Sequence, residues 1–290
     1  MRTPDSISRF VIENSDVRGL LVHLDDTWLS ARSRMNYPAV VERLLGEAFA
    51  ATVLMSASIK YEGKLTLQVR GSGPVNLLVV QVTREGTARG LAKWDAVPEQ
   101  ASLGEVFGTD ARMVISVEAD AIGQPHQGIV ELTGNTLSDA LKNYFHNSEQ
   151  LLSEFYLEVS NTSVAGLLLQ RLPGGMQDDD GWERATQLAR TVSRDELLQL
   201  DASTLLYRLF NQDGVRLFEN NPVSFKCSCS RERTSGVIQG LGQTEAEQIL
   251  SEQGSITITC EFCAEEYIYD SVDVAGLFNT TTTDQSDTRH

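Results

Sequence analysis

The side chains best suited to chemistry in this chain are four cysteines, Cys227, Cys229, Cys260 and Cys263. They fall as two close pairs, Cys227-Ser228-Cys229 and Cys260-Glu261-Phe262-Cys263, with residues 230–259 between them. Zn²⁺ takes four ligands in a tetrahedron, and two local pairs supply them at modest chain-entropy cost. Soft thiolates favour zinc over harder cations, and a closed four-sulfur shell leaves no position for a substrate. The expectation is therefore one structural zinc per chain on these residues. A buried core position is the ordinary fate of a lone thiol, but four cysteines confined to one short region and grouped as pairs argue against it. Dithiol oxidoreductase chemistry at Cys260 and Cys263 is the weaker rival. Such a motif sits at a helix N-terminus, whereas strand-like sequence, Tyr267-Ile268-Tyr269, resumes soon after Cys263.

Cys227 and Cys229, if oxidised to each other, would close a very small ring with poor disulfide geometry, and strained disulfides are the labile, regulatory kind. The region from Val223 to Phe278 has few large apolar side chains. A module of that size commonly leans on its metal, which supplies on the order of 10 kcal/mol or more. Oxidising the thiolates should release the metal and melt the module.

The elements that must position these cysteines can be read in outline. Val223, Phe225, Cys227 and Cys229 alternate as on one strand face, Ile256 and Ile258 alternate toward Cys260, and Cys260–Cys263 reads as a turn into the next strand. Upstream, Val40, Val41, Leu44, Leu45, Ala48, Ala51, Val53 and Leu54 predict a central helix over 38–59, with Pro38 at its first position. Strands are expected at 64–70 and 75–82 around the turn Gly71-Ser72-Gly73-Pro74, and at 112–118, 127–132 and 155–159, with a helix at 137–145. The pattern breaks at Pro173-Gly174-Gly175 and the acidic run Asp178-Asp179-Asp180. Beyond it Trp182, Ala185, Leu188, Ala189 and Val192 recur at helical spacing, Ser193 and Glu196 have the form of a capping box, and Leu205, Leu206, Leu209 and Phe210 make another apolar stripe. These helices either pack on the main domain, as amphipathic helices usually do, or form a mobile linker whose apolar faces can be uncovered. The expected class is α+β: a mixed α/β N-terminal domain (1–175), an amphipathic helical linker (176–222) and a small four-cysteine zinc domain (223–290).

Composition narrows the function. Lys plus Arg number 24 against 40 Asp plus Glu, a net charge of -16, which repels phosphate backbones. Arg231 and Arg233 beside the cysteines suggest a nucleic-acid zinc ribbon as the runner-up, but Glu232 interrupts them. The first twenty residues mix charges among the apolar positions, so no secretion signal is read there, and the most apolar stretch, 48–59, falls short of the roughly 20 residues a membrane span requires. A cytoplasmic location follows as the expectation. His23, His126, His146 and His290 are scattered, and no catalytic set can be named. The Gly71–Pro74 loop precedes a strand and lacks a Gly-Lys-Ser/Thr signature, so it is read as a hairpin turn. Residues 280–290 are polar and expected to be disordered.

Taken together, the chain resembles the 33 kDa chaperonin family of redox-regulated heat-shock holdases over nearly its whole length. The resemblance is carried by Tyr37-Pro38 with Leu44-Leu45-Gly46-Glu47-Ala48, by Gly63-Lys64-Leu65-Thr66-Leu67-Gln68 with Gly71-Ser72-Gly73-Pro74, by Gln127-Gly128-Ile129-Val130, and by Tyr144-Phe145 with Ser148-Glu149-Gln150. Its most specific part is Phe225-Lys226-Cys227-Ser228-Cys229-Ser230-Arg231-Glu232-Arg233 paired with Cys260-Glu261-Phe262-Cys263. The resemblance implies a non-enzymatic protein that is zinc-bound and inactive when reduced. On oxidation it implies disulfides joining Cys227 to Cys229 and Cys260 to Cys263, zinc release, and unfolding of the C-terminal region and linker. The active form, a homodimer, would then capture unfolding client proteins without ATP, with neither nucleic acid nor membrane as a partner. Two departures stand out: Leu152-Ser153 where the family has a Pro-Thr pair, and Ala264 where it has glycine. The second would cost about 1 kcal/mol if that position takes a positive φ.

Overall fold

The computed structural model describes residues 3–13, 15–59, 61, 63–97, 102–118, 126–173 and 180–279. The break at 174–179 and the tail 280–290 lie outside the described residues. The chain divides into two compact units, Met1–Lys226 and Cys227–His290.

The first unit contains β1 (Ser6–Ile12), β2 (Val17–Leu24), α1 (Asp26–Arg32), α2 (Ala39–Ser58), β3 (Lys64–Arg70), β4 (Val75–Thr83), β5 (Thr87–Trp94), α3 (Leu103–Phe107), β6 (Arg112–Glu118), β7 (His126–Glu131), α4 (Leu137–Asn147), β8 (Ser153–Val159) and β9 (Val164–Arg171). It continues through α5 (Gly181–Ala189), α6 (Arg194–Gln199), α7 (Ala202–Phe210), β10 (Val215–Leu217), β11 (Asn221–Pro222) and β12 (Ser224–Phe225). One sheet has the order β10-β1-β2-β9-β8, with β11 also on β1, and the other has the order β12-β5-β4-β3-β6-β7.

Helix α2 packs against strands of both sheets. Its sequence is apolar around most of its circumference, which is what a helix enclosed on all sides requires. Leu44, Leu45, Phe49, Ala51, Val53 and Leu54 all lie in the main core with the inward residues of both sheets. Pro38 is the N-cap, one residue outside the helix, and Ala39 takes the first helical position. Gly46 is required by close packing: a Cβ there would stand 2.8 Å from both methyls of Val159. The loop 71–74 is the expected hairpin turn, since β3 and β4 pair antiparallel with Arg70 opposite Leu77.

A second core lies on the other face of the first sheet. Phe10, Ile12, Val17, Leu21, Ala165, Leu167 and Leu169 project from it and are covered by Ala185, Ala189, Leu197, Leu198, Leu205, Leu206, Leu209 and Phe210 of α5–α7. The apolar stripes of these amphipathic helices are thus spent on a sheet, where each fully buried Leu or Phe contributes about 1.5–3 kcal/mol. Ser193 and Glu196 form the expected capping box. Polar ties add register: buried His23 has its Nε2 2.8 Å from the Leu197 carbonyl, the Tyr156 hydroxyl donates to Thr186 O at 3.2 Å, and Arg194 donates to Val159 O at 2.5 Å.

The second unit contains α8 (Arg231–Leu241), α9 (Gln243–Gln253), the antiparallel pair β13 (Ile256–Thr259) and β14 (Glu266–Tyr269), and α10 (Ser271–Asn279). Its buried core is Ile238, Ala246, Ile256, Tyr269 and Val274. Ile249, Leu250, Ile258, Tyr267, Leu277 and Phe278 pack partly against it, and a core of this size gives a domain only marginal stability.

Candidate metal centre

Cys260 and Cys263 sit where the sequence placed them, in the turn joining β13 to β14. The Cys260 amide donates to Glu265 O and the Ala264 amide donates to Cys260 O, both at 2.8 Å, which curls the chain so that the two sulfurs face one point. This curl carries Ala264 into the left-handed region at φ 57, the conformation that favours glycine.

The other pair departs from expectation. β12 ends at Phe225, and Cys227 and Cys229 lie in an unpaired loop rather than on a strand face. A strand would hold its side chains along a line, whereas the loop lets both sulfurs converge. Val223, the other end of the expected alternation, is buried in the main core of the first unit. The loop is held from below: Ser230 caps α8 by accepting from the Arg233 amide at 3.2 Å, and the Arg233 guanidinium donates to Ser228 O and Ser228 Oγ, each at 2.8 Å.

The four Sγ atoms all lie within 4.8 Å of one another. Cys227 is 3.6 Å from Cys260 and Cys229 is 3.3 Å from Cys263. A tetrahedron with metal–sulfur bonds of ~2.3 Å has sulfur–sulfur edges of about 3.8 Å, so the residues fit a four-coordinate metal ion. Burial raises the pKa of the Cys260 thiol and, more strongly, that of Cys263, and the neighbouring Cys227 and Cys229 sulfurs act in the same direction. Protonated thiols cannot ligate, so a bound cation is what draws the protons off.

Residues that sequence spacing did not single out complete the surroundings. The Tyr267 hydroxyl donates to Cys229 Sγ at 3.2 Å, and this bond raises the pKa of Tyr267. Arg231 pairs with Asp273 at 2.8 Å and lies 4.4 Å over the Tyr269 ring. Tyr269 in turn donates to Arg231 O at 2.7 Å, tying the start of α8 to β14. Both arginines of the Ser-Arg-Glu-Arg stretch are thus engaged within their own unit. Nothing in the spacing marks Tyr267 as a sulfur partner, because the contact depends on how the hairpin folds back.

Among the described residues the histidines form no cluster: His23 lies in the first unit under α6 and His146 is exposed in the last turn of α4. His290 and the side chain of His126 fall outside the described residues. Among the described residues, no helix is long and apolar enough to cross a membrane.

Comparison with known proteins decides what this architecture belongs to. The family model for Hsp33 protein matches residues 5–270. The chain belongs to the Hsp33 family. It is similar to the 33 kDa chaperonin of Nitrosococcus oceani, 45% identical over 278 residues, with 96% of each chain covered. It is also similar to that of Shewanella baltica, 42% identical over 285 residues, covering 97% of this chain and 99% of the relative. The crystal structure of the 33 kDa chaperonin from Thermotoga maritima shares the fold, with a TM-score of 0.81 at 20% identity, covering 97% of this chain and all of that one. The chain is accordingly a redox-regulated chaperone of the Hsp33 family rather than an enzyme, it binds client proteins, and its four-cysteine cluster can hold a metal ion.

Proposed function

We propose that reduced protein binds one zinc through Cys227, Cys229, Cys260 and Cys263 and is a latent holdase that oxidation activates. The observation that carries this reading is the convergence of four sulfurs within 4.8 Å in a unit whose core, among the described residues, has five buried apolar side chains. When bound, zinc supplies cross-linking between the two cysteine loops and stabilises their thiolates. As each disulfide forms, its two thiolates surrender two electrons to an oxidant such as hydrogen peroxide, which takes up two protons and is reduced to two waters, and the paired sulfurs cease to be ligands.

Pairing within each motif, Cys227 with Cys229 and Cys260 with Cys263, fits activation better than pairing across them. Disulfides across the motifs would staple α8, α9 and the hairpin into closed loops and hold the unit together. Disulfides within the motifs leave the two loops unlinked, and the small core is then too weak to persist. Loss of this unit frees the downstream end of the segment from 176 onward, which we read as the linker of a three-part chain: 1–175, 176–222 and 223–290. The freed apolar surface captures unfolding clients without ATP, in the cytoplasm and as a homodimer.

The test measures zinc content, disulfide connectivity by mass spectrometry, sedimentation mass and suppression of client aggregation on one sample before and after peroxide with mild heat. Zinc at one per chain with no chaperoning before, and zinc loss, the two local disulfides, a dimer and chaperoning after, are the expected results. Undiminished zinc in a Cys260→Ser variant, or chaperoning with zinc retained, would overturn the reading.

A further inference from the structure

The segment joining α7 to the first cysteine is laid along the open edges of both sheets. β10 pairs antiparallel with β1 through Val215–Leu217, and β11 pairs with it through Asn221–Pro222. β12 then pairs parallel with β5, Ser224 beside Thr87 and Phe225 beside Ala88. The bonds continue outside the paired residues. Phe218 N donates to Arg9 O at 2.8 Å, Val223 N to Asp5 O at 2.7 Å, and Ser224 N and Lys226 N to Gly86 O and Ala88 O, both at 3.0 Å.

Each of these strands is short, yet it covers a long one. β1 runs for 7 residues and β5 for 8, and each has its other edge occupied, by β2 and β4 respectively. Without residues 215–226 both would end their sheets as unpaired rows of N–H and C=O groups, the template on which another extended chain adds. The side chains of the segment carry the same message. Val223 is buried in the main core, Phe225 packs partly against it beneath the Arg34 guanidinium at 5.4 Å, and Ser224 and Lys226 between them face out. Gly86 lets the segment approach, since a Cβ there would stand 2.5 Å from Pro222 O. Next to Val223 opens a cavity of about 700 Å³ walled in part by Ile7, Val53, Ile59 and Val82.

We propose that residues 220–226 occupy, in the latent protein, the site that an extended segment of an unfolding client occupies in the active one. The inference rests on the functional reading above, in which oxidation frees this segment. The client chemistry is specified by the occupant: a β-strand with apolar side chains at alternate positions, entering the pocket of Val223 and the shelf of Phe225, and donating backbone hydrogen bonds to the carbonyls of Gly86 and Ala88. Alternating or continuous β-prone apolar stretches are what aggregating chains expose, so the surface selects for the species a holdase must hold.

A fluorescently labelled peptide of residues 220–226 is the probe, titrated into the full reduced and oxidised protein. The expected result is binding at least tenfold tighter to the oxidised form, with competition against a heat-unfolding client in the aggregation assay. N-methylation of the Ser224 or Lys226 nitrogen removes a donor to β5 and should weaken binding about tenfold, whereas N-methylation of Phe225, whose N–H faces away from β5, should not. Oxidised protein that suppresses aggregation but binds the peptide no better than reduced protein, or binds the Ser224- and Lys226-methylated forms equally well, would overturn this assignment and leave the redox switch standing. Oxidised protein that fails to suppress aggregation would overturn the functional reading and this one with it.

Discussion

Ala264→Gly should tighten the metal centre. Ala264 has φ 57 and is exposed, so its methyl buries little surface that a glycine would forfeit. An L-residue with a Cβ in the left-handed region carries about 1–2 kcal/mol of strain that glycine escapes. Glycine loses more freedom on folding than alanine, which takes back about 0.4–1 kcal/mol. The net gain is about 0.5–1 kcal/mol, and since folding and metal binding are one equilibrium in so small a unit, it emerges as zinc affinity about two- to fivefold higher. Competition against a chromophoric chelator at fixed pH measures it, with peroxide-driven zinc release followed in parallel and expected to slow. Ala264→Val, a β-branched side chain in the same conformation, should shift both readouts the opposite way. Affinity that is unchanged or reduced in the glycine variant would refute the claim that this turn is strained.

Three further outcomes follow from the geometry. Tyr267→Phe removes the hydroxyl that donates to Cys229 Sγ at 3.2 Å and should weaken zinc binding, and an unaltered affinity in the chelator competition would remove Tyr267 from the centre. Zinc affinity should rise with pH. The Cys260 and Cys263 thiols have raised pKa values in the metal-free state and must lose their protons to ligate, so acid favours the protonated apo form and alkali relieves the competition; an affinity that stays flat from roughly pH 6 to about pH 8, below the ordinary thiol pKa, would contradict this. Leu205→Ala, at a fully buried position of the second core, should cost about 2–5 kcal/mol and raise hydrogen exchange across α5–α7 in the reduced protein while α2 stays protected, and equal exchange in these helices and α2 would show the segment is not a separable layer.

How much of this was legible in the sequence depends on what each element faces. α2 and the β3–β4 hairpin were readable because a long apolar helix and a glycine-rich turn between strands leave unmistakable patterns. β2 and β9 were not. Val17, Leu21, Leu167 and Leu169 point to the second core while Leu20, Val22, Leu24 and Leu168 point to the first. A strand buried on both faces loses the alternation that announces a strand. β5, with Thr87-Ala88-Arg89-Gly90-Leu91-Ala92, lacks β-branched residues beyond its first position and takes its place from its neighbours rather than from propensity. The cysteine ligand set was legible because spacing alone implies convergence. The conformation around Cys227 and Cys229 was misread, since an alternation of Val223, Phe225, Cys227 and Cys229 looks like one strand although its two halves serve different units. Ala264 was the reverse case: the glycine that the resembling family has at this position raised the question of a positive φ, and the backbone there has φ 57.

The apolar faces of α5–α7 bear on where activation acts. They are buried on β1, β2 and β9 within their own unit, so that burial does not depend on the cysteine unit staying folded. What melting that unit does remove is the anchor at one end of residues 215–226. Those residues hold to the sheets through pairings of three, two and two residues, too short to persist as independent strands. On the function proposed above, the segment is continuous with α7 upstream and with the cysteine unit downstream, and melting of that unit leaves it tethered at one end only. Release of one end converts a clamped ribbon into a fraying one, and the edges of β1 and β5 open first. The helices stand further up the same chain with a larger buried area, so uncovering the second core needs an additional push such as heat. On that reading the seven paired residues of β10–β12 give way before α5–α7, because the helices bury a far larger apolar surface on their sheet.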